Sequence, residues 1–137
     1  MKLRIKDNAV RFRLTLKEAE TLERDRELYS YTDFPGSDPA RPVRFRYGIK
    51  VSDAAATGAI QCADNGITAT LPAAGLKELL DPAQEGVYYR FEVGTPAPER
   101  FMFFVEKDRP GSTCDKPELW IYEEVGGKVA ATQPAAR

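Results

Sequence analysis

The sequence contains no histidine. That absence removes Ser-His-Asp and Cys-His catalysis, and histidine-based zinc or iron sites, from the chemistry open to it. Carboxylate-held magnesium or calcium, Lys, Arg and Tyr chemistry, and binding without catalysis remain. Cysteine is scarce: Cys62 and Cys114 stand far apart, with neither metal-ligand nor redox-pair spacing. A cytosolic protein would keep both reduced. No apolar run approaches the roughly 18 residues of a membrane span. The opening MKLRIKDNAVRF alternates charged and apolar side chains, unlike a signal-peptide core. A cytoplasmic bacterial protein is expected. There is no Gly-rich phosphate loop, nucleophile elbow or kinase signature.

What is present suits one α+β domain. At 137 residues with 42% apolar and 30% charged side chains, the chain is long enough to enclose a core. A domain over residues 1–124 and a flexible, Ala-rich tail over 125–137 are expected. Charge is uneven despite a net value of −1. Residues 1–50 hold twelve Lys/Arg against eight Asp/Glu, leaving eight against thirteen in residues 51–137.

Alternation predicts a hairpin at the start. Leu3 and Ile5, then Val10, Phe12 and Leu14, point one way; Lys2, Arg4, Lys6, Arg11 and Arg13 point the other. Asp7-Asn8 supplies the turn. Thr15–Glu18, TLKE, reads as a capping box opening a helix from Leu16 to about Glu27. Residues 29–42 read as a long loop bearing Tyr29, Tyr31 and Phe34. Strands are expected over 43–51, 59–63, 67–71, 87–93 and 100–106, with Asp64-Asn65-Gly66 as a hairpin turn and a second helix from Pro72. A last strand is expected at Leu119–Tyr122. VRFRLTLKEAETL (10–22) and ITATLPAAGLKEL (67–79) both run from an alternating strand into a helix, at a period near 57 residues. The fold expected is a curved antiparallel sheet or barrel of seven to eight strands with two helices, built from a duplicated β-α-β-β unit.

The candidate site follows from the polar side of three strands. Lys2, Arg4, Lys6, Arg11, Arg13, Arg44, Arg46 and Lys50 all oppose the apolar face of their own strand. If those strands are neighbours they form one cationic surface, and guanidinium groups bind phosphate oxygens in bidentate fashion. An ordinary solvated face mixes signs, and this one does not. Glu106 and Asp108, two apart on a strand, could converge on magnesium, with Glu92 and Glu123 as further ligands. The competing reading is that EKD only marks where a buried strand emerges into water. Nucleic acid is disfavoured: Phe12, Phe45 and Tyr47 lie opposite the arginines, and the pI is about 5.6.

MKLRIKDNAVRFRLTLKE, taken with FMFFVEKDRPGSTC, resembles a family of small bacterial proteins of unknown function. Its members begin M-K-x-R-I-K-x-N-x-x-R-x-R-L-T and carry a V-E-K-D segment followed by a cysteine. Met1–Thr15, Val105–Asp108 and Cys114 are the matching positions here; after Asp108 the chain departs from the pattern. The resemblance implies a domain and no mechanism. The architecture also resembles, more loosely, the triphosphate-tunnel barrels of adenylate cyclase and thiamine triphosphatase relatives. That likeness implies phosphate held by Lys/Arg and metal held by Glu. Here the first strand reads Lys2-Arg4-Lys6, without the acidic residues of the E-x-E-x-K motif.

Three functions are therefore open. The first is a non-catalytic binding or accessory domain whose basic face takes a phosphate-containing small molecule or an acidic protein, without a cofactor. The second is a magnesium-dependent phosphate-ester or triphosphate enzyme using Glu106 and Asp108. The third is an interaction protein docking through the aromatic loop.

Overall fold

A computed structural model describes residues 1–108. The strand expected at Leu119–Tyr122, the tail, Cys114 and Glu123 lie outside the described residues. Eight strands and two helices follow in order: β1 (Lys2–Lys6), β2 (Ala9–Leu14), α1 (Leu16–Asp25), β3 (Glu27–Phe34), β4 (Val43–Ser52), β5 (Ala59–Ala63), β6 (Gly66–Pro72), α2 (Ala73–Leu80), β7 (Gly86–Val93) and β8 (Glu99–Lys107).

The α+β class is observed, but among the described residues the sheet is neither single nor closed. Two mixed four-stranded sheets form, in the orders β1-β2-β8-β7 and β3-β4-β6-β5. Each contains two antiparallel pairs joined at the centre by a parallel one, β2 with β8 or β4 with β6. The reason lies in the helices. Each helix carries the chain out of one sheet, so the strand after it pairs in the other. A single antiparallel meander would need that strand to return beside its predecessor.

The repeat is real and longer by one strand than the sequence suggests. Lys2 and Ala59, Ala9 and Gly66, and Leu16 and Ala73 open matching elements 57 residues apart. Both hairpins turn through a left-handed pair, Asp7-Asn8 (φ 49° and 60°) and Asp64-Asn65 (φ 52° and 56°). This is the geometry of a two-residue type I′ turn, which Asp and Asn tolerate. Backbone bonds repeat as well. Met102 N–H donates to Asn8 O at 3.0 Å and Arg46 N–H to Asn65 O at 3.1 Å. Lys107 N–H donates to Glu85 O at 3.0 Å and Val51 N–H to Arg26 O at 2.9 Å. The chain is thus two β-β-α-β-β units, each giving its hairpin to one sheet and its last two strands to the other.

The capping box forms as expected. Glu18 N–H donates to Thr15 Oγ1 at 3.1 Å, and Thr15 N–H donates to Glu18 Oε1 at 3.0 Å. The other oxygen, Glu18 Oε2, takes the Met1 ammonium at 2.5 Å. Helix α1 stops two residues before Glu27, because Arg26 turns left-handed (φ 62°) and donates its N–H to Leu22 O at 2.9 Å. The chain then enters β3 at once, so most of the expected loop is strand and only residues 35–42 remain irregular. Both sheets and both helices share one core, in which Phe12, Phe103, Leu14, Leu22, Ile49, Leu71, Leu79 and Val105 are fully buried.

Candidate functional site

The sheet topology splits the predicted cationic set. Lys2, Arg4, Lys6, Arg11 and Arg13 share the outer face of the β1-β2-β8-β7 sheet, whereas Arg44, Arg46 and Lys50 belong to β4 in the other sheet. A continuous surface over all eight does not exist, because β4 is not a neighbour of β1 or β2.

On the first sheet the outward side chains form rows across the strands. Arg4 stands opposite Arg11, followed by Phe104 and Tyr88. On one side the row is Lys2, Arg13, Glu106 and Gly86; on the turn side it is Lys6, Ala9, Met102 and Arg90. Two like-charged cross-strand pairs, Arg4/Arg11 and Lys2/Arg13, therefore lie side by side, an arrangement that costs stability unless counter-charge is near. Part of that counter-charge comes from β8. Glu106 Oε1 lies 3.4 Å from Arg11 Nε, and Glu106 Oε2 lies 3.8 Å from Arg13 Nη1. Arg13 Nε donates to Asp108 Oδ1 at 2.8 Å. The Arg11 guanidinium also sits 4.7 Å from the Phe104 ring centroid, within cation–π range.

The EKD segment has a structural account. Glu106, on the outer side of β8, and Asp108, buried just past the end of the strand, both meet the arginines. Lys107 faces inward, and its ammonium donates to Leu79 O at 2.6 Å, Asp81 O at 2.9 Å and Gln84 O at 2.6 Å. It closes the C-terminal end of α2, where carbonyls lack helical partners. Burial pulls the Lys107 pKa below its ordinary value, with Asp81 opposing the shift. Glu92, on β7, pairs with Arg100 of β8, six residues along the strand from the Gly86 that pairs with Glu106, and so roughly 20 Å away. Among the described residues no group of three Asp, Glu, Cys or His side chains converges as a metal site.

Arg44 and Arg46 have partners of their own. Arg44 forms a two-pronged bond to Asp33, at 2.8 and 3.0 Å, and its guanidinium lies 3.8 Å from the Tyr31 ring centroid. Arg46 lies 3.9 Å from the Tyr29 centroid. The bond to Arg44 holds the Asp33 carboxyl below its usual pKa, against a smaller opposing effect of burial. Tyr29 fits there because Gly48 stands opposite it; a Cβ at Gly48 would strike the ring. These tyrosines were expected on a loop. The sequence signal for the ladder was the facing alternation Y-x-Y-x-D against R-x-R-x-G.

The duplication supplies an internal comparison. A depression of about 400 Å³ on the first sheet is lined by Arg4, Lys6, Asp7, Ala9, Arg11 and Phe104. A second, of about 230 Å³, occupies the matching place on the other sheet, where Gln61, Ala63, Asp64, Gly66 and Thr68 stand at the positions of Arg4, Lys6, Asp7, Ala9 and Arg11, and Tyr29 and Arg46 complete the lining. One fold position thus occurs twice. The hairpin supplies three cations to it in the first unit and three neutral side chains in the second, where the one cation in the lining is Arg46 of β4. A further depression, of about 240 Å³, is lined by Lys2, Arg4, Arg11 and Arg13.

One feature had no signal in the sequence. Near the two hairpin turns the sheets part around an apolar cleft of about 620 Å³, lined by Ile5, Val10, Ile60, Cys62, Ile67 and Phe101 among others. Local alternation marks those residues as inward-facing, but not that the space between them is unfilled.

No helix among the described residues is long and apolar enough to cross a membrane. The chain belongs to a family of unknown function, DUF7009, whose family model matches residues 1–113. That span includes Met1–Thr15 and Val105–Asp108 and ends one residue before Cys114. Neither the curated proteins nor the solved structures contain a match to it.

Proposed function

We propose that the protein is a binding module whose outer β1-β2-β8-β7 face takes a phosphate-bearing small molecule, held by Arg4, Lys6 and Arg11 with Lys2 and Arg13 beside them. The observation that carries this reading is the contrast between the two halves. The equivalent depression in the second unit has Gln61, Ala63 and Thr68 at the three hairpin positions, with Arg46 of β4 as its one cation, stacked on Tyr29. A soluble sheet face therefore does not require three cations at these positions. Their presence in one unit alone supports a task for the charge, and a depression focuses that charge on an anion. Guanidinium suits phosphate, since it keeps its charge at any working pH and offers paired donors. Asp7 at the rim limits how much negative charge the turn side accepts. Glu106 and Asp108 act here as counter-charges to Arg11 and Arg13, and the reading asks no covalent chemistry of them.

The test is a thermal-shift panel of phosphate, pyrophosphate, triphosphate and nucleotides, with and without magnesium, at two salt concentrations. A ligand that binds only the folded state raises the melting temperature by mass action. The expected result is a salt-sensitive shift that does not need magnesium. It should disappear in the triple variant Arg4→Gln, Lys6→Ala, Arg11→Thr, which gives the first unit the second unit's residues. A shift that survives this exchange would refute the site. A shift seen only with magnesium would favour the metal-dependent enzyme, and no shift at all would leave an acidic protein as the partner to seek.

A further inference from the structure

The duplication separates the two sheets a second time, one strand further along. Tyr29 on β3 and Tyr88 on β7 occupy matching outward positions, since Glu27 pairs with Lys50 as Gly86 pairs with Glu106. So do Arg46 on β4 and Met102 on β8, which pair with Gly66 and Ala9. In the second sheet the Arg46 guanidinium lies over the Tyr29 ring at 3.9 Å. In the first sheet an uncharged methionine stands in the arginine's place. Tyr88 rests beside Phe104 instead, with ring centroids 5.9 Å apart and planes inclined by 33°, and remains 64% exposed. An aromatic pair, with Tyr88 its exposed member, thus borders the basic depression. Its row runs Arg4, Arg11, Phe104, Tyr88, so the cationic end and the aromatic end share one line across the sheet.

Building on the proposed phosphate reading, we infer that the ligand is a nucleoside phosphate, with its phosphate on Arg4, Lys6 and Arg11 and its base stacked on Tyr88. Arg11 and Tyr88 stand two strands apart, about 10 Å along the sheet. Arg11 covers Phe104, which leaves Tyr88 as the ring available for stacking. A ribose linking phosphate to base bridges such a span, whereas inorganic phosphate or a sugar phosphate would leave the aromatic end unused. Stacking on a π-face tolerates any base. Nothing on this row carries the paired donors and acceptors that would read one base edge, so weak preference among bases is expected.

Calorimetric titration of the full chain with AMP, ribose 5-phosphate and inorganic phosphate tests the assignment, repeated in Tyr88→Ala. Tyr88 is exposed, so its removal should leave the melting temperature nearly unchanged. AMP should bind about tenfold more tightly than ribose 5-phosphate, the order of one base–aromatic stack. In Tyr88→Ala that advantage should vanish while ribose 5-phosphate binding stays the same. Equal binding of AMP and ribose 5-phosphate by the unaltered protein would overturn the nucleoside assignment and leave the phosphate site standing. Binding of none of the three would overturn both. An AMP preference that persists in Tyr88→Ala would overturn the place given to the base.

Discussion

Arg13 and Asp108 are 95 residues apart in sequence, and Arg13 Nε donates to Asp108 Oδ1 at 2.8 Å. The Asp108 backbone N–H donates to Leu14 O at 2.9 Å, so the same residue is held at two points. Asp108 is only 3% exposed, and it is the one charged residue among the described residues that is fully inside. The pair fastens the end of β8 to the end of β2.

Removing the carboxylate should therefore cost more than an ordinary surface change. Asp108→Ala leaves Arg13 with a weaker partner at 3.8 Å in Glu106. A loss of about 1–3 kcal/mol is expected, below the range for fully buried pairs because Arg13 is itself part-exposed. Urea unfolding measures it as a lower midpoint with an unchanged slope. A midpoint equal to that of the unaltered protein would mean the clasp adds nothing.

Lys107 should prove structural. Lys107→Met keeps the length of the side chain but removes the ammonium from Leu79 O, Asp81 O and Gln84 O, of which Asp81 O keeps the Gln84 N–H at 3.0 Å. The expected cost is ~1–2 kcal/mol once water partly replaces those bonds. Hydrogen exchange should quicken at the end of α2 and in residues 81–86, with little change in β1 or β2. Unaltered protection there would refute the role.

Alkaline pH should weaken the fold through tyrosine. Burial raises the pKa of Tyr47, with the Ser30 hydrogen bond opposing, and burial raises that of Tyr89. For such groups stability is fully present below the unfolded value of about 10.0 and is lost as pH rises through the folded value. Lys107 acts in the opposite sense: its lowered pKa makes stability rise with pH as the unfolded chain's proton is lost. Two tyrosines against one lysine should give a net fall above about pH 10. Tyr47→Phe removes the bond to Met1 O, 3.0 Å long, and should cost about 1 kcal/mol at neutral pH while flattening that fall. Chemical denaturation at pH 7, 9 and 10.5 would show an unchanged slope if Tyr47 plays no part.

The basic residues of β4 should be silent in ligand binding. Arg44 and Arg46 belong to the other sheet and are stacked on Tyr31 and Tyr29. Arg44→Ala with Arg46→Ala should leave phosphate affinity within twofold, measured by the same titrations. A tenfold loss would mean that the two faces act on one ligand.

Much of this was legible in the chain. Alternation placed Lys2, Arg4, Arg11 and Arg13 opposite Leu3, Val10, Phe12 and Leu14, and the structure keeps that division. TLKE announced the cap of α1, and Asp-Asn at positions 7–8 and 64–65 announced both turns. What could not be read was partnership. Alternation tells which way a side chain points within a strand, not which strand lies beside it, so Arg44 and Arg46 were grouped with residues of the opposite sheet. Strand β3 was hidden for a related reason. Its outward positions carry Tyr29 and Tyr31 and its inward ones Ser30 and Thr32, which blurs the apolar–polar period. The clasp of Glu106 and Asp108 on Arg11 and Arg13 depends on the parallel β2–β8 pairing, and no local pattern encodes that.

That pairing has a consequence for how such a protein could come into being. Each β-β-α-β-β unit owns half of each sheet and no complete sheet of its own. Separated at residues 53–58, a unit would expose the unpaired flank of its hairpin and of its last strand, and only a second unit could cover both. The chain is in this sense a homodimer with exchanged arms, written into one polypeptide. Joining the two copies freed their sequences to differ. One hairpin could then carry three cations while the other carried neutral side chains at the same positions, a division of labour that no symmetric pair of identical chains could hold.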